Sequence, residues 1–348
     1  MNQAVSRFRS FTLHARGLVA ELFKERTENA DHLDYLDGWR GLAIALVLWE
    51  HFFSSALIDT GEMGVDIFFV LSGMLMSNIL FVKRAPLGTF YRRRISRIVP
   101  ALFSYLFFVF FIDTLARHHV DWKEVLSTAS FLRTYYPTIP GIWEVDLPLG
   151  HLWSLNIEEH SYVLMSLLVM IPFLRNREWF ALGVIGSASI AIYLLYYHYP
   201  SLAPHNFEIR TESQTSYIML SAGYFLIRKK FAPYIRPWLV VIAFSSIVLF
   251  FVHGESGWRY LISPILLAFT VNHLGDAPAA MRRALSMRPL RYLGKWSYSI
   301  YLWQQPFAQF RSHHHLGSAI VMVALFLGIS SFYLIEDPMR EWLNSKWK

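Results

Sequence analysis

Cysteine is absent from the 348-residue chain. That excludes disulfides, iron–sulfur clusters, thiolate zinc sites and a cysteine acyl intermediate, and says little about redox compartment. Charge is scarce too: 16% of residues are charged, against 54% hydrophobic and 17% aromatic. Mean hydropathy is +0.33. Those values lie above the range of ordinary soluble domains. No long polar stretch interrupts the chain, so one integral membrane domain is expected. A standard signal peptide is also lacking, because charges break the apolar residues up to Asp37. The first spanning helix is expected to direct insertion itself.

What is present is a series of apolar blocks of roughly 17 to 22 residues, enough to cross about 30 Å of hydrocarbon as helix. Ten are predicted: 38–58, 64–82, 98–115, 151–173, 179–197, 215–228, 237–253, 258–274, 296–311 and 317–335. The runs are too long and too little alternating for strands. The fold class is therefore all-α, an integral membrane protein of about ten transmembrane helices.

The basic residues give the orientation. With both termini cytoplasmic, 25 of the 32 Lys and Arg fall in inner segments. Arg117, Lys123, Arg133, Arg210, Arg259 and Arg311 fall outside, and Arg40 lies in the first span. This asymmetry follows the positive-inside rule. It also explains the pI of 9.5 without nucleic acid. The expected organisation is a cytoplasmic segment 1–36, a ten-helix domain 37–336 with an outer loop 116–150, and a cytoplasmic tail 337–348. Residues 8–23 read as an interfacial amphipathic helix or as a disordered basic tail. The outer loop, rich in aromatics and proline, suits a lid or a substrate surface. His313, His314 and His315 read as a solvated loop, since nothing beside them supplies a metal geometry.

Ionisable residues inside the spans mark function, because hydrocarbon makes them costly. Arg40 and His51 in RGLAIALVLWEH are eleven residues apart. They return to within ~20° of one direction while rising about 16 Å. Asp37, Ile44, Val47 and Ser55 share that face. Glu50 points elsewhere and receives no role. Two poles are expected. Near the cytoplasm Arg40 meets Arg94 and Arg97, a set suited to a phosphorylated group. In the outer half His51 meets Glu158, Glu159 and Asp66, a candidate acid–base group. Glu158 shares a helical face with His151, Leu155 and Tyr162. The plain alternatives are topogenic anchors for Arg92–Arg97, a packed histidine, and an N-cap for Asp37 or Asp66. Paired Glu158 and Glu159 deep in a span have no comfortable structural reading.

LDGWRGLAIALVLWEH, GVDIFFVLSGMLMS, RISR at 94–97, HLWSLNIEEHSY and LGKWSYSIYLWQQP occur in one order from residue 35 to about 340. In this set the chain resembles the acyltransferase 3 family of integral membrane acyltransferases. The resemblance implies transfer of an acetyl or other short acyl group from cytoplasmic acyl-CoA, acetyl-CoA foremost, to hydroxyls of extracytoplasmic or membrane-linked carbohydrates. It implies a ten-helix core in the cell's inner membrane, and no appended hydrolase-like domain is expected. Two positions depart from the family: His160 replaces the usual Gln after the Glu pair, and Trp303-Gln304-Gln305-Pro306 replaces a Trp-His-Trp-Pro string.

The expected roles follow. Arg40, Arg94 and Arg97 hold the coenzyme A phosphates. His51 is the general base, oriented by Glu158, with Asp66 the rival for that role. Trp153, Ser154, Glu159 and Tyr162 line the acceptor site, where Tyr301 and Gln304 hydrogen-bond the acceptor. Partners are the lipid bilayer and a carbohydrate, with no metal and no nucleic acid. Direct transfer and an acyl-histidine intermediate stand open, as do the oligomeric state and acylation of a lipid or small antibiotic. The competing class is a polytopic transporter or flippase in which the same charges form a relay.

Overall fold

The structure, a computed structural model, describes residues 33–53, 59–117, 121–253, 256–314 and 318–347. The segment 8–23, Ser55 and His315 lie outside the described residues. Among the described residues no strand occurs. The long helices are α1 (Asp34–Phe53), α2 (Thr60–Val82), α3 (Leu87–Arg117), α4 (Trp122–Ala129), α5 (Trp153–Val169), α6 (Glu178–His198), α7 (Ser216–Phe231), α8 (Pro237–His253), α9 (Ser256–Asn272), α10 (Ala279–Leu285), α11 (Arg288–His314) and α12 (Val321–Lys346). The ends of α2 and α12 pass through π-helical turns, at Asn78–Val82 and Phe332–Glu336.

Each predicted apolar block overlaps one of these helices. By length and composition, Thr60–Val82, Leu87–Ala116, Glu178–His198 and Val321–Lys346 can cross a membrane, and Pro237–Val252 is a shorter apolar stretch. Three boundaries move far; one is the end of α12, at Lys346 rather than 335, and the other two are helix starts. Helix α3 starts at Leu87 rather than 98, taking the arginine cluster Arg92, Arg93, Arg94 and Arg97 into the helix. Helix α11 starts at Arg288 rather than 296. Both extensions carry basic, helix-favouring residues, which continue the backbone hydrogen-bonding outside an apolar window.

Helix α7 packs against α2, α6 and α9, and α11 against α12. Two contacts require glycine. A Cβ on Gly73 would stand 2.2 Å from the carbonyl oxygen of Ile218 on α7, and one on Gly41 would stand 1.9 Å from that of Leu290 on α11. Ser77 reinforces the first contact, donating to the Ala222 carbonyl at 2.8 Å. The Gly41 contact seats the Arg40–His51 helix directly on α11, as small residues do between packed helices.

The loop after α3 is folded as a unit. Arg133, 1% exposed, donates to both Glu124 oxygens at 2.5 and 2.7 Å, and to the carbonyls of Pro137 and Pro140 at 3.0 and 2.9 Å. A buried guanidinium needs this full set of acceptors. Tyr135 then ties the loop to the turn before α7, donating to Glu212 at 2.5 Å and accepting from the Thr211 amide at 3.0 Å. Burial, then the Glu212 carboxylate, pushes the Tyr135 phenol up to about 12.

Candidate functional site: two cavities with a shared wall

Four helices, α1, α2, α5 and α11, contribute to two adjoining cavities. The arginine cavity, about 100 Å³, is lined by Arg40, Ser72, Arg94, Arg97, Ser154 and Glu158, among others. The histidine cavity, about 400 Å³, is lined by Glu50, His51, His151, Trp153, Arg259 and Tyr260, among others. Val65 and Tyr301 line both. The helical face predicted on α1 therefore runs from one cavity to the other, Arg40 at one end and Val47 and His51 at the other.

In the arginine cavity Arg97 stands within electrostatic reach of both Arg40 and Arg94. Their partners differ. Arg40 pairs with Asp37 at 3.2 Å. Arg94 donates from Nε to Glu159 at 2.8 Å and from Nη2 to Glu158 at 3.0 Å, and stacks over the Tyr162 ring at 4.0 Å. Among the described residues Arg97 has neither a salt bridge nor a hydrogen bond. Like charges gathered round one cavity favour an anion there, and Arg97 has most to give it.

In the histidine cavity the His51 Nδ1–H donates to Gln304 Oε1 at 2.5 Å. Gln304 is fully buried. That bond sets the tautomer and leaves Nε2 carrying the lone pair. Pro306, two residues on in α11, withholds an amide from the carbonyl of Leu302, one turn before it. Opposite, Arg259 donates to Glu62 at 2.5 Å, and the Tyr260 hydroxyl donates to the same carboxylate. Glu50 accepts from the amide and hydroxyl of Thr60 at 3.1 and 2.9 Å, and Asp59 caps α2 through the Glu62 amide at 2.9 Å. Trp143 brings the folded loop to the same cavity.

The wall between the cavities is hydrogen-bonded. The Tyr301 hydroxyl donates to the His151 carbonyl. Its one proton being used, it accepts from Ser154 Oγ at 2.7 Å.

Several expected neighbours are placed elsewhere. Glu158 does not stand beside His51: one oxygen accepts from Ser72 at 2.6 Å and the other from Arg94, and it lines the arginine cavity. The reason is depth. Helix α5 begins with a turn, Gly150–Leu152, that is already buried, so His151 sits in the histidine cavity and Glu158 lies about 10 Å further along the axis. Glu159 follows Glu158 to Arg94. Tyr162, 1% exposed, is the platform beneath Arg94 rather than a lining residue. Asp66 is not an N-cap, since Asp59 serves α2; it is buried among Tyr217, Glu62 and Arg259. Trp153 lines the histidine cavity and Ser154 the arginine cavity. Gln304 meets His51 rather than open space. His160 bonds Thr211 at 2.7 Å, away from both cavities.

Sequence reasoning missed Glu50, Glu62, His151, Arg259 and Tyr260 as lining residues. The available signal was Glu62 and Arg259 as opposite charges near the same predicted membrane face. Among the described residues no group of His, Cys, Asp or Glu is arranged to hold a metal ion.

Comparison with known proteins places the chain at the level of family. O-acetyltransferase OatA of Staphylococcus aureus strain NCTC 8325 / PS 47 is 26% identical over 360 residues, 91% of this chain and 58% of the relative. OatA of strain COL matches to the same extent, and a further protein of that strain carrying an O-acetyltransferase name is 25% identical over 355 residues, 88% of this chain and 57% of its own. The chain thus spans less than three-fifths of the length of these curated relatives. No solved structure matches it. The sequence model of the acyltransferase 3 family, described as an acyltransferase domain, covers residues 33–336; the chain carries that domain and belongs to that family.

Proposed function

We propose that this chain is a multi-pass protein of the cell's inner membrane that moves an acetyl or other short acyl group from cytoplasmic acyl-CoA to a hydroxyl of an extracytoplasmic or lipid-linked carbohydrate. In this reading residues 37–336 cross the bilayer ten times and both ends are cytoplasmic, as the distribution of Lys and Arg favours. The arginine cavity then faces the cytoplasm and the histidine cavity the opposite side.

Arg97 and Arg40 bind the donor's phosphates. Arg94, already engaged by Glu158 and Glu159, is a fixed positive wall rather than a free clamp. The narrow arginine cavity takes the pantetheine arm and carries the thioester to the wall formed by Val65 and Tyr301. His51 Nε2 removes the proton from the acceptor hydroxyl. The resulting oxygen attacks the thioester carbonyl, the C–S bond breaks, and the imidazolium returns the proton to the departing thiolate. Gln304 holds the ring through Nδ1, the place that a carboxylate fills in a triad. Asp66, buried among Tyr217, Glu62 and Arg259, supports the Glu62–Arg259 side of the acceptor cavity.

The observation that carries the reading is the junction: an arginine-lined cavity and an imidazole-lined cavity sharing Val65 and Tyr301. The test uses inverted membrane vesicles, with labelled acetyl-CoA in the medium and a glycoside trapped in the lumen. The expected result is labelled ester on the lumenal glycoside, lost in the Arg40→Ala/Arg97→Ala double variant and recovered at high donor concentration. Glycoside that crosses unmodified, or label that needs acetyl-CoA inside the lumen, sinks the proposal in favour of a transporter.

A further inference from the structure

His151 is the buried group the mechanism above leaves unused. It is 2% exposed and lines the same cavity as His51, within electrostatic reach of that ring. Packing holds it: Tyr105 meets it edge-on, centroids 5.6 Å apart at 88°, and Tyr301 leans on it at 5.1 Å. Neither hydroxyl serves the ring. Tyr105 donates to the Pro148 carbonyl at 2.5 Å, and Tyr301 to the backbone of His151 itself. Among the described residues neither Nδ1 nor Nε2 of His151 has a hydrogen-bond partner.

Buried polar atoms are nearly always satisfied. A buried, unpartnered ring on a residue that lines a cavity is therefore a place for a ligand atom. A neutral imidazole offers one N–H and one lone pair on opposite sides of the ring, and a hydroxyl, which accepts and donates, can meet either of them. The ring's fixed setting in the cavity of His51 puts a second hydroxyl-reading group within electrostatic reach of the reacting one.

We propose that His151 binds the acceptor through a hydroxyl adjacent to the one acylated, so that the favoured acceptor is a vicinal diol such as a sugar ring presents. The inference rests on the acyl-transfer reading above. His51 handles the reacting hydroxyl, His151 grips its neighbour, and the grip fixes which carbon of the ring is esterified. An acceptor with a single hydroxyl satisfies His51 and leaves His151 bare.

The test uses the purified full chain in lipid nanodiscs with acetyl-CoA, a set of methyl glycosides and their mono-deoxy analogues. In the wild type, removing the hydroxyl beside the acylated one should lower kcat/KM by about tenfold or more, the penalty of a site built for a group that is gone. His151→Phe keeps the ring packed between Tyr105 and Tyr301 but removes both nitrogens. It should lose the same factor on the parent glycoside, mainly in KM, and become indifferent to that one deoxy change. His151→Asn, which retains a donor and an acceptor, should recover part of the preference. Equal losses on parent and deoxy glycoside, or no loss on either, overturn the role of His151 while acyl transfer stands. A wild type that esterifies none of the glycosides overturns both.

Discussion

The two cavities differ in lining more than in place. The arginine cavity sets three guanidinium groups against the one carboxylate of Glu158. The histidine cavity sets Glu50, Asp59, Glu62 and Glu208 against Arg259 alone, and adds the rings of Trp143, Trp153, Tyr193, Tyr197, Tyr260 and Tyr301. It is also about four times larger, about 400 against about 100 Å³. A small positive space suits a thin anionic chain. A broad space of flat rings and carboxylates suits a hydroxyl-rich body with no negative charge. In the proposed mechanism the one reactive group, His51, stands on the second side only, which makes binding of donor and chemistry on acceptor separable.

That separation can be broken by substitution. His51→Ala should remove about 10² to 10⁴ in kcat, the usual share of general-base catalysis, and leave the donor Kd unchanged by calorimetry with acetyl-CoA. A parallel loss of donor binding would join the two cavities into one. Arg133→Leu strands Glu124 inside the loop, and breaking such a buried pair costs about 3–5 kcal/mol. The loop carrying Trp143 should open, with proteolysis in 121–150 and loss of acceptor turnover, while donor binding persists. Gln304→Leu should lower kcat by roughly ten- to a hundredfold, because an unheld ring loses its tautomer and aim; Gln304→Glu, which still accepts from Nδ1, should retain far more. Arg97→Ala should raise the donor KM about tenfold, the worth of a charge-assisted hydrogen bond, with kcat intact at saturation. The smallest change is expected from Glu208→Gln. Glu208 is exposed, so it should bring an acidic glycoside closer to its neutral counterpart by about twofold, judged from competing turnover at low salt.

The same contrast explains how far the sequence could be read. The stripe Arg40–Val47–His51 was legible because helical periodicity relates residues of one helix to one another, and α1 does carry it from cavity to cavity. The apolar blocks were legible for the same kind of reason. The pairing of His51 was not. Periodicity assigns faces, but no pattern assigns the vertical offset of one helix against its neighbour. Taking α5 to start at the membrane surface put Glu158 level with His51. The buried turn at Gly150–Leu152 shifts the register by seven residues, bringing His151 to that level and Glu158 to Arg94. The pairing of Arg94 with Glu158 and Glu159 was likewise obscured by placing the start of α3 eleven residues late. Gln304 was assigned to the acceptor rather than to His51 because of its neutrality: a search for charged partners of an imidazole passes over an amide, though an amide oxygen holds an imidazole N–H equally well.

The wall of Val65 and Tyr301 has a bearing on energetics. If the carrier stays docked on its own side and only a few neutral atoms traverse that wall, no ion and no large polar body crosses the bilayer. The driving force is then the reactivity of the thioester itself. Turnover should continue in vesicles whose voltage and proton gradient have been collapsed by ionophores, with the spent thiol emerging where the donor entered.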